Sequence, residues 1–424
     1  MRVDAVQQIR EVQMRVRVVT LASLFVVAPL GAQHTVAKGG GGEGDEHAAP
    51  ACASSSALSA RGAIYPANAK AAVASFVDRT VQRVAPERVH IGCRSYVAPF
   101  VALDPKGAAL DIGTASNLQD NVTVTGRVTI GDRVSVAHGA TIVGPATIGA
   151  PGGLPAFVGF NSVIDGATVE PDAMVTHLVK VSPGIVIRAG TKVLPGKWIK
   201  TQEEADNEAL GKVVKVNDAD REFMHGVLHV NNALAAGYAA LVRESPVDVR
   251  GAGRDPGHSD FNHDSEEPSF AGHPHVHPSM HLRVIGGVTI AEGWRDLDHE
   301  MGSAVSLRAD EGEHFRFGRG NHFADHVTFH ALEHSNIEVG NGVMIGFHAV
   351  VHGGADDLSE AKDLTQIGDR TMIGANAVFF RSKAGDGVQI GERAYVDGCH
   401  LAPGTVVPAR TVMVKDKVVG TVEW

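Results

Sequence analysis

Aromatic residues make up only 5% of this 424-residue chain, cysteine occurs three times, and positive charge is in the minority. Lys and Arg total 38 against 48 Asp and Glu, a formal net charge of −10, which excludes the basic footprint of a nucleic-acid binder. The three cysteines, Cys52, Cys93 and Cys399, lack the paired spacing of a metal site. Their odd count allows one disulfide in an oxidising compartment, although a free, inert thiol is the expectation for each. Cys52 sits in a poor local context for lipidation. No apolar run is long enough to span a bilayer comfortably. The nearest is 18–30, preceded by Arg15 and Arg17 and followed by Gly31, Ala32 and Gln33. A basic start, a short apolar stretch and a small-residue exit form a secretory signal, so a periplasmic or secreted protein without stable membrane insertion is expected. The pattern begins at Met14, so either Met1 or Met14 can serve as the start. A Gly-rich stretch at 38–44 reads as a linker.

What is abundant is glycine, at 49 residues, interspersed with Val and Ile in a way that favours short strands and tight turns. Apolar residues recur every six positions at Ile112, Leu118, Val124, Ile130, Val136, Ile142 and Ile148. A hexad repeat of this kind signals a parallel β-helix, with three hexads to each triangular coil. The pattern returns at Phe317, Phe323 and Phe329, then at Val339, Ile345 and Val351, and again at Ile367, Ile373 and Phe379. The second copy is offset by 205 residues up to Phe329 and by 209 afterwards, so it carries four extra residues around "ALEHSNIEV". The fold class is therefore mainly β. The expected organisation is a signal at 1–33, a flexible segment at 34–83, a β-helix with a helix at 84–245, a linker at 246–282 and a second β-helix at 283–424. Thr201 with Glu204 forms a capping box. Phe223, Val227, Val230, Leu234 and Leu241 have helical spacing, placing a helix from Asp218 to about Arg243 along the flank of the first prism. The linker carries His258, His263, His273, His275, His277 and His281; a solvated segment with incidental histidines is the simpler reading.

Under the internal alignment Thr125 matches His330, His138 matches Phe347, and Val143 matches His352. Positions 125 and 143 are one 18-residue coil apart, so His330 and His352 are expected to stack on adjacent coils of one face. Neighbouring strands lie about 4.8 Å apart, which lets two imidazoles share a metal at about 2.0–2.1 Å each. Position 138 lies roughly one corner round the triangle and can reach only a metal held by a neighbouring prism. A three-histidine site with an open fourth position is the catalytic zinc arrangement, in which water ionises near pH 7.

The stretches "SLRADEG", "FADHVTFHALE", "VGNGVMIGFHAVVHGG", "IGTASNLQDNV", "VSVAHGATIVGP", "TQEEAD" and "HVNNALAAGY" resemble the gamma-class carbonic anhydrases over roughly 90–243 and 283–424. The resemblance implies left-handed β-helices in a homotrimer, CO2 and bicarbonate as substrate and product, and zinc (or iron or cobalt) at each interface. It implies His330 and His352 as the same-subunit ligands and His138 as the neighbour's. Arg308 and Asp310 become an interface ion pair, and Glu311 and Glu333 carboxylates that move protons. Gln119 and Asn231 become further active-site polar residues, with Asn117 and Asp120 beside Gln119. Domain 1 has Leu103, Pro105 and Lys106 opposite Arg308, Asp310 and Glu311. Domain 2 has Ala324 opposite Gln119, Phe347 opposite His138, and nothing opposite Asn231. One half thus resembles the metal-pair side and the other the third-ligand side. Mixed three-fold rings would hold at most one metal each, and whether the site forms within or between chains stays open. His348 is a weaker substitute ligand. Two other readings stand beside the enzyme: a non-catalytic scaffold, and a hexapeptide-repeat acyltransferase in which the paired histidines have no role.

Overall fold

The computed structural model describes residues 56–57, 62–64, 75–244, 282–291, 301–311, 314–332, 335–354 and 363–424. The signal pattern at 1–33, Cys52, nearly all of the linker with its histidines, and Glu333 lie outside the described residues.

Each half is a left-handed parallel β-helix of three sheets. The register follows the hexads: Ile112 pairs with Ile130, Leu118 with Val136, and Val124 with Ile142. These six side chains and Ile148 are buried in the first prism, and the phenylalanines at 317, 323 and 329 fill the second. Each such side chain removed from water contributes roughly 1.5–3 kcal/mol. Corners between strands need left-handed backbone. Asn121 (φ 59) and Asn161 (φ 50) take it in the first prism, and His326 (φ 62) and His348 (φ 57) in the second. Short polar side chains tolerate that conformation best.

The first prism begins earlier than 84. Strands Ser75–Val77 and Gln82–Arg83 already pair in parallel with Tyr96–Val97 and Ala102–Asp104. Within the segment expected to be flexible, Ser56–Ala57 and Gly62–Ile64 add antiparallel strands. Cys93 is disulfide-bonded, which corrects the expected free thiol; Cys399 is free and buried.

Helix α1 (Gln202–Asp206) opens on the Thr201–Glu204 capping box. Helix α2 (Asp218–Glu244) lies over the first prism, where Leu234, Ala235 and Tyr238 pack on Phe76 and Tyr96 and also meet Ile285 of the second prism. The second prism ends instead in an antiparallel pair, Thr411–Val414 with Lys417–Thr421.

The two prisms of one chain lie side by side. The sheet of domain 1 that contains Asn117–Leu118 and Val134–Val136 faces the sheet of domain 2 that contains Thr328–Ala331 and Val350–Gly353. Phe157, Phe160, Met174 and Leu178 interlock there with Val350, Val378, Phe380 and Tyr395. Corner residues stitch the seam. The Asn121 amide donates to the carbonyls of Ala304 and His326, and the Asn161 amide to those of His348 and Asn376.

Candidate metal centre

Two columns of side chains meet along this seam. In domain 1 each residue preceding a left-handed corner points across it, giving Asp120, His138, Phe160 and His177 on successive coils. In domain 2 the ladder aligns Arg308, His330, His352 and Phe380. The 22-residue gap from His330 to His352 holds one coil plus the four extra residues, and the two remain in register.

Three imidazoles converge where the columns cross. His138 Nε2 lies 3.2 Å from His330 Nδ1, which lies 3.1 Å from His352 Nε2. All three rings are buried, and their facing nitrogens lie within 4.8 Å of one another. Tetrahedral ligands at about 2.0–2.1 Å from zinc would stand about 3.3 Å apart, so the two measured spacings fit a shared cation.

The outward nitrogens decide the protonation. His352 Nδ1 is 2.6 Å from the Gly353 carbonyl and must donate to it. His138 Nδ1 is 3.0 Å from Asp120 Oδ2, and His330 Nε2 is 3.1 Å from Glu311 Oε1 and 3.4 Å from Asp310 Oδ1. These three contacts are close but not well-aligned hydrogen bonds. An imidazole nitrogen facing a carboxylate oxygen at such a distance must still carry the proton, because two lone pairs would repel. Each neutral ring therefore turns a lone pair inward, and three lone pairs meet without a hydrogen between them. That is the tautomer pattern of metal-ligating histidines.

Burial pushes the His138 pKa down to about 4, against the pull of Asp120. Burial also drives His352 well below the ordinary histidine value, helped by the charge of neighbouring His330 and His138. For His330, burial and Arg308 act downward but are outweighed by Glu311 and Asp310, and its pKa is raised.

Beneath the histidines Arg308 is wholly buried, with Nε 3.2 Å from Asp120, Nη1 2.9 Å from Asp310 and Nη2 donating to Gln119 Oε1 at 2.8 Å. The ion pair expected between Arg308 and Asp310 is thus a triad that crosses the seam to Asp120. Gln119 donates to Asn117 and to Asn231, whose own amide donates to the Val227 carbonyl. Tyr238 of α2 donates to Asp310 at 2.5 Å. Three buried carboxylates, Asp120, Asp310 and Glu311, stand against one guanidinium, leaving a formal surplus of two negative charges beside the three imidazoles. In a buried setting that surplus calls for a cation.

The structure brings together His138, His330, His352, Glu311, Arg308, Asp310, Gln119 and Asn231 within one chain. His348 sits on a corner beside His326 and Phe347, away from the cluster. The ladder pairs Thr125 with Asp104, while His330 pairs with Arg308. The domain-1 counterpart of Arg308 is therefore Asp104 rather than Leu103. Sequence reasoning missed Tyr238, Phe160, Phe380 and His177. Tyr238 lies two helical turns beyond Asn231, on the same face, and that spacing could have found it. Phe160 follows His138 by 22 residues, because the "GAPGGLP" loop lengthens that coil, and His177 follows Phe160 by 17, which hides the column from a strict hexad count.

Among the described residues, His177 is a strongly perturbed histidine outside the cluster. Its Nδ1 accepts the Phe160 N–H at 3.0 Å, and its ring stacks between Phe160 and Tyr395 at centroid distances of 4.5 and 5.2 Å. Burial pushes its pKa down to about 3, opposed by Asp397. A histidine depressed in the fold contributes stability that is complete above its unfolded value near 6.5 and is lost as pH falls toward 3. Between pH 7 and 4 this one residue is expected to cost roughly 3 kcal/mol. Denaturant unfolding of His177→Phe should show a correspondingly flatter pH dependence than the wild type; equal losses in both would refute the assignment.

No family model matches the chain. It is 28% identical over 170 residues to the carbonic anhydrase of Methanosarcina thermophila, covering 35% of this chain and 62% of that protein. It is 30% identical over 152 residues to the carboxysome assembly protein CcmM of a Nostoc species, covering 34% of this chain and 24% of that one. A solved hexapeptide transferase family protein from Anaplasma phagocytophilum is 22% identical, with a TM-score of 0.30, covering 39% of this chain and 93% of that one. Over about a third of its length the chain is thus similar to a carbonic anhydrase and to CcmM. It spans less than two thirds of the length of the curated relatives it matches. Among the described residues no helix is long and apolar enough to cross a membrane.

Proposed function

We propose that this chain is an exported carbonic anhydrase, hydrating CO2 to bicarbonate with one divalent cation held by His138, His330 and His352. The observation that carries the reading is the convergence of three buried imidazole lone pairs whose outer nitrogens are all tied back. When bound, zinc, or iron or cobalt in its place, supplies the Lewis acidity that ionises water near neutral pH. The donor set suits each of these ions. Asp120, Glu311 and the Gly353 carbonyl hold the three rings in the tautomer that presents a lone pair. Phe160 and Phe380, against His352 at 5.1 and 5.3 Å, form an apolar wall suited to an uncharged substrate and keep bulk water off that side. Glu311 accepts from His330 and, with Glu333, serves to carry protons away from the site. Gln119 and Asn231 hold Arg308 and the base of the cluster in place.

The three ligands belong to one polypeptide, so the site does not require the three-fold ring that the family resemblance implies. Export is part of the proposal: the disulfide at Cys93 suits an oxidising compartment, and the signal pattern at the N-terminus points the same way. The second reading, a non-catalytic scaffold, draws on the similarity to CcmM, a carboxysome assembly protein by name. Elemental analysis of the purified chain together with a CO2 hydration assay separates the two. One tightly bound divalent ion per chain with hydration activity is the expected result; a metal-poor, inactive protein would favour the scaffold.

A further inference from the structure

His138 belongs to one prism and His330 with His352 to the other, so the three can hold one cation only while the prisms stay together. All three rings are buried, and an ion enters or leaves such a chelate when its two walls part. Whatever fastens the prisms therefore sets how fast the centre fills and empties. Most of the seam is a broad contact between side chains of the two facing sheets, but one fastening is built differently. Beyond the hairpin of Thr411–Val414 with Lys417–Thr421, residues 422–424 leave the second prism and lie against the first.

Each of the three residues makes its own attachment. Val422 is buried in the apolar cluster that also holds Met174 and Leu178 of the first prism. The Glu423 N–H donates to the Gly196 carbonyl at 2.8 Å. Its carboxylate accepts the Trp198 N–H at 3.1 Å and pairs with Lys197 at 3.2 Å and Lys212 at 2.9 Å. Glu204 pairs with Lys212 at 2.8 Å, so two lysines and two carboxylates balance there. The Trp424 indole N–H donates to the Leu178 carbonyl at 2.6 Å, while Arg393 of the second prism covers the ring at 4.9 Å. The first prism leaves room for this segment only because residue 196 is glycine. Gly196 has φ 75, and a Cβ there would meet Val412 Cγ2 at 2.9 Å and Val422 Cα at 3.1 Å.

Charge-assisted bonds of this kind are stronger than neutral ones, and here they sit on one short segment, so they form and break together. Leu178 directly follows His177 in the column of coils that carries His138, which puts the attachment on the same wall as the metal centre. We propose that Val422, Glu423 and Trp424 form a clasp that keeps the seam shut and thereby limits how fast a cation is captured and released. The exchange rate of a buried site scales with the fraction of molecules transiently open, so weakening the clasp multiplies that rate. The control of exchange rests on the composite centre proposed above; the clasp itself does not.

Two rates test this on the full chain. The first is release of zinc from the loaded protein to a chromogenic chelator. The second, on metal-free protein, is thiol labelling of Val378→Cys, a buried seam position, with the labelled site identified by mass spectrometry. The double variant Glu423→Gln, Trp424→Ala is expected to speed both by about ten- to a hundredfold, the size of shift that loss of bonds to charged groups produces. Trp424→Phe, which loses only the indole donor, should fall in between. Val418→Thr with Val419→Thr, exposed on the same hairpin, should change neither rate. Labelling of the double variant at the unmodified rate would overturn the clasp, even with a lowered melting temperature. Faster labelling with unaltered zinc release would overturn its control of the centre. A parent chain that binds no zinc would count against the metal reading instead, and the labelling rates would still decide the clasp.

Discussion

His138→Ala alone is expected to strip the tightly bound divalent ion from the chain and to lower CO2 hydration at least a hundredfold, and His330→Ala alone to do the same. Loss of a residue that merely orients a metal-binding histidine typically costs 10–100-fold in metal affinity or activity; loss of a ligand is the larger perturbation. His138 comes from a corner of the first prism, while His330 and His352 come from paired strands of the second. Removing one imidazole leaves two lone pairs and an enlarged cavity open to water. Mass-spectrometric metal counts and stopped-flow hydration read the two effects separately, with the exposed His400 changed to Ala as a control that should alter neither. Either variant retaining both full metal and full activity would dismiss the composite site. Because the ligands share a chain, the metal count should also hold at one per chain on dilution.

Arg308→Met is expected to destabilise the protein by about 3–5 kcal/mol, the cost of removing one partner from a buried charge network. That should lower the melting temperature by roughly 5–15 °C. Arg308 is fully buried and its guanidinium serves Asp120 and Asp310 at once, so its loss leaves two carboxylates in low dielectric with no counter-charge. Arg308 and the histidine contacts, against the burial that favours the neutral acid, hold Asp310 down at about 2. The stability from that depression is present above its unfolded value near 3.9 and is lost as pH falls toward 2. In the variant, Asp120 also loses the charge that keeps it ionised and its grip on His138, so metal affinity should drop 10–100-fold. Arg308→Lys keeps the charge but not the planar fork and should fall between the two. By contrast, breaking the exposed Arg188–Asp206 pair should cost under about 1 kcal/mol. Equal melting temperatures for Arg308→Met and wild type would show that the network contributes nothing net.

Much of this centre was legible in the residue order because a β-helix is close to a one-dimensional fold. With a six-residue period and an 18-residue coil, spacing along the chain becomes position in space, and His330 over His352 follows once the four-residue insertion is counted. Where the period breaks, legibility ends. The lengthened coil before Ala156–Val158 shifts Phe160 and His177 out of the count, and a one-residue difference beneath Thr125 exchanges Leu103 for Asp104. Asp120 lies one 18-residue coil before His138, so that contact follows the period, but Arg308 and Asp310, which pair with Asp120 and Tyr238, come from the other prism. No period connects those.

By itself the sequence determined the two prisms, their coil register, the capping box of α1, the span of α2 and the residues competent to hold a metal, because each depends on repeats or contacts local along the chain. Only the tertiary structure decided that the two prisms of one chain face each other and bring His138 to His330 and His352. It also decided that Arg308 bridges Asp120 and Asp310, and that Glu423 and Trp424 fasten onto the first prism. Those outcomes depend on how two separately folded surfaces complement one another across a linker, and shape complementarity between faces leaves no periodic trace in the order of residues.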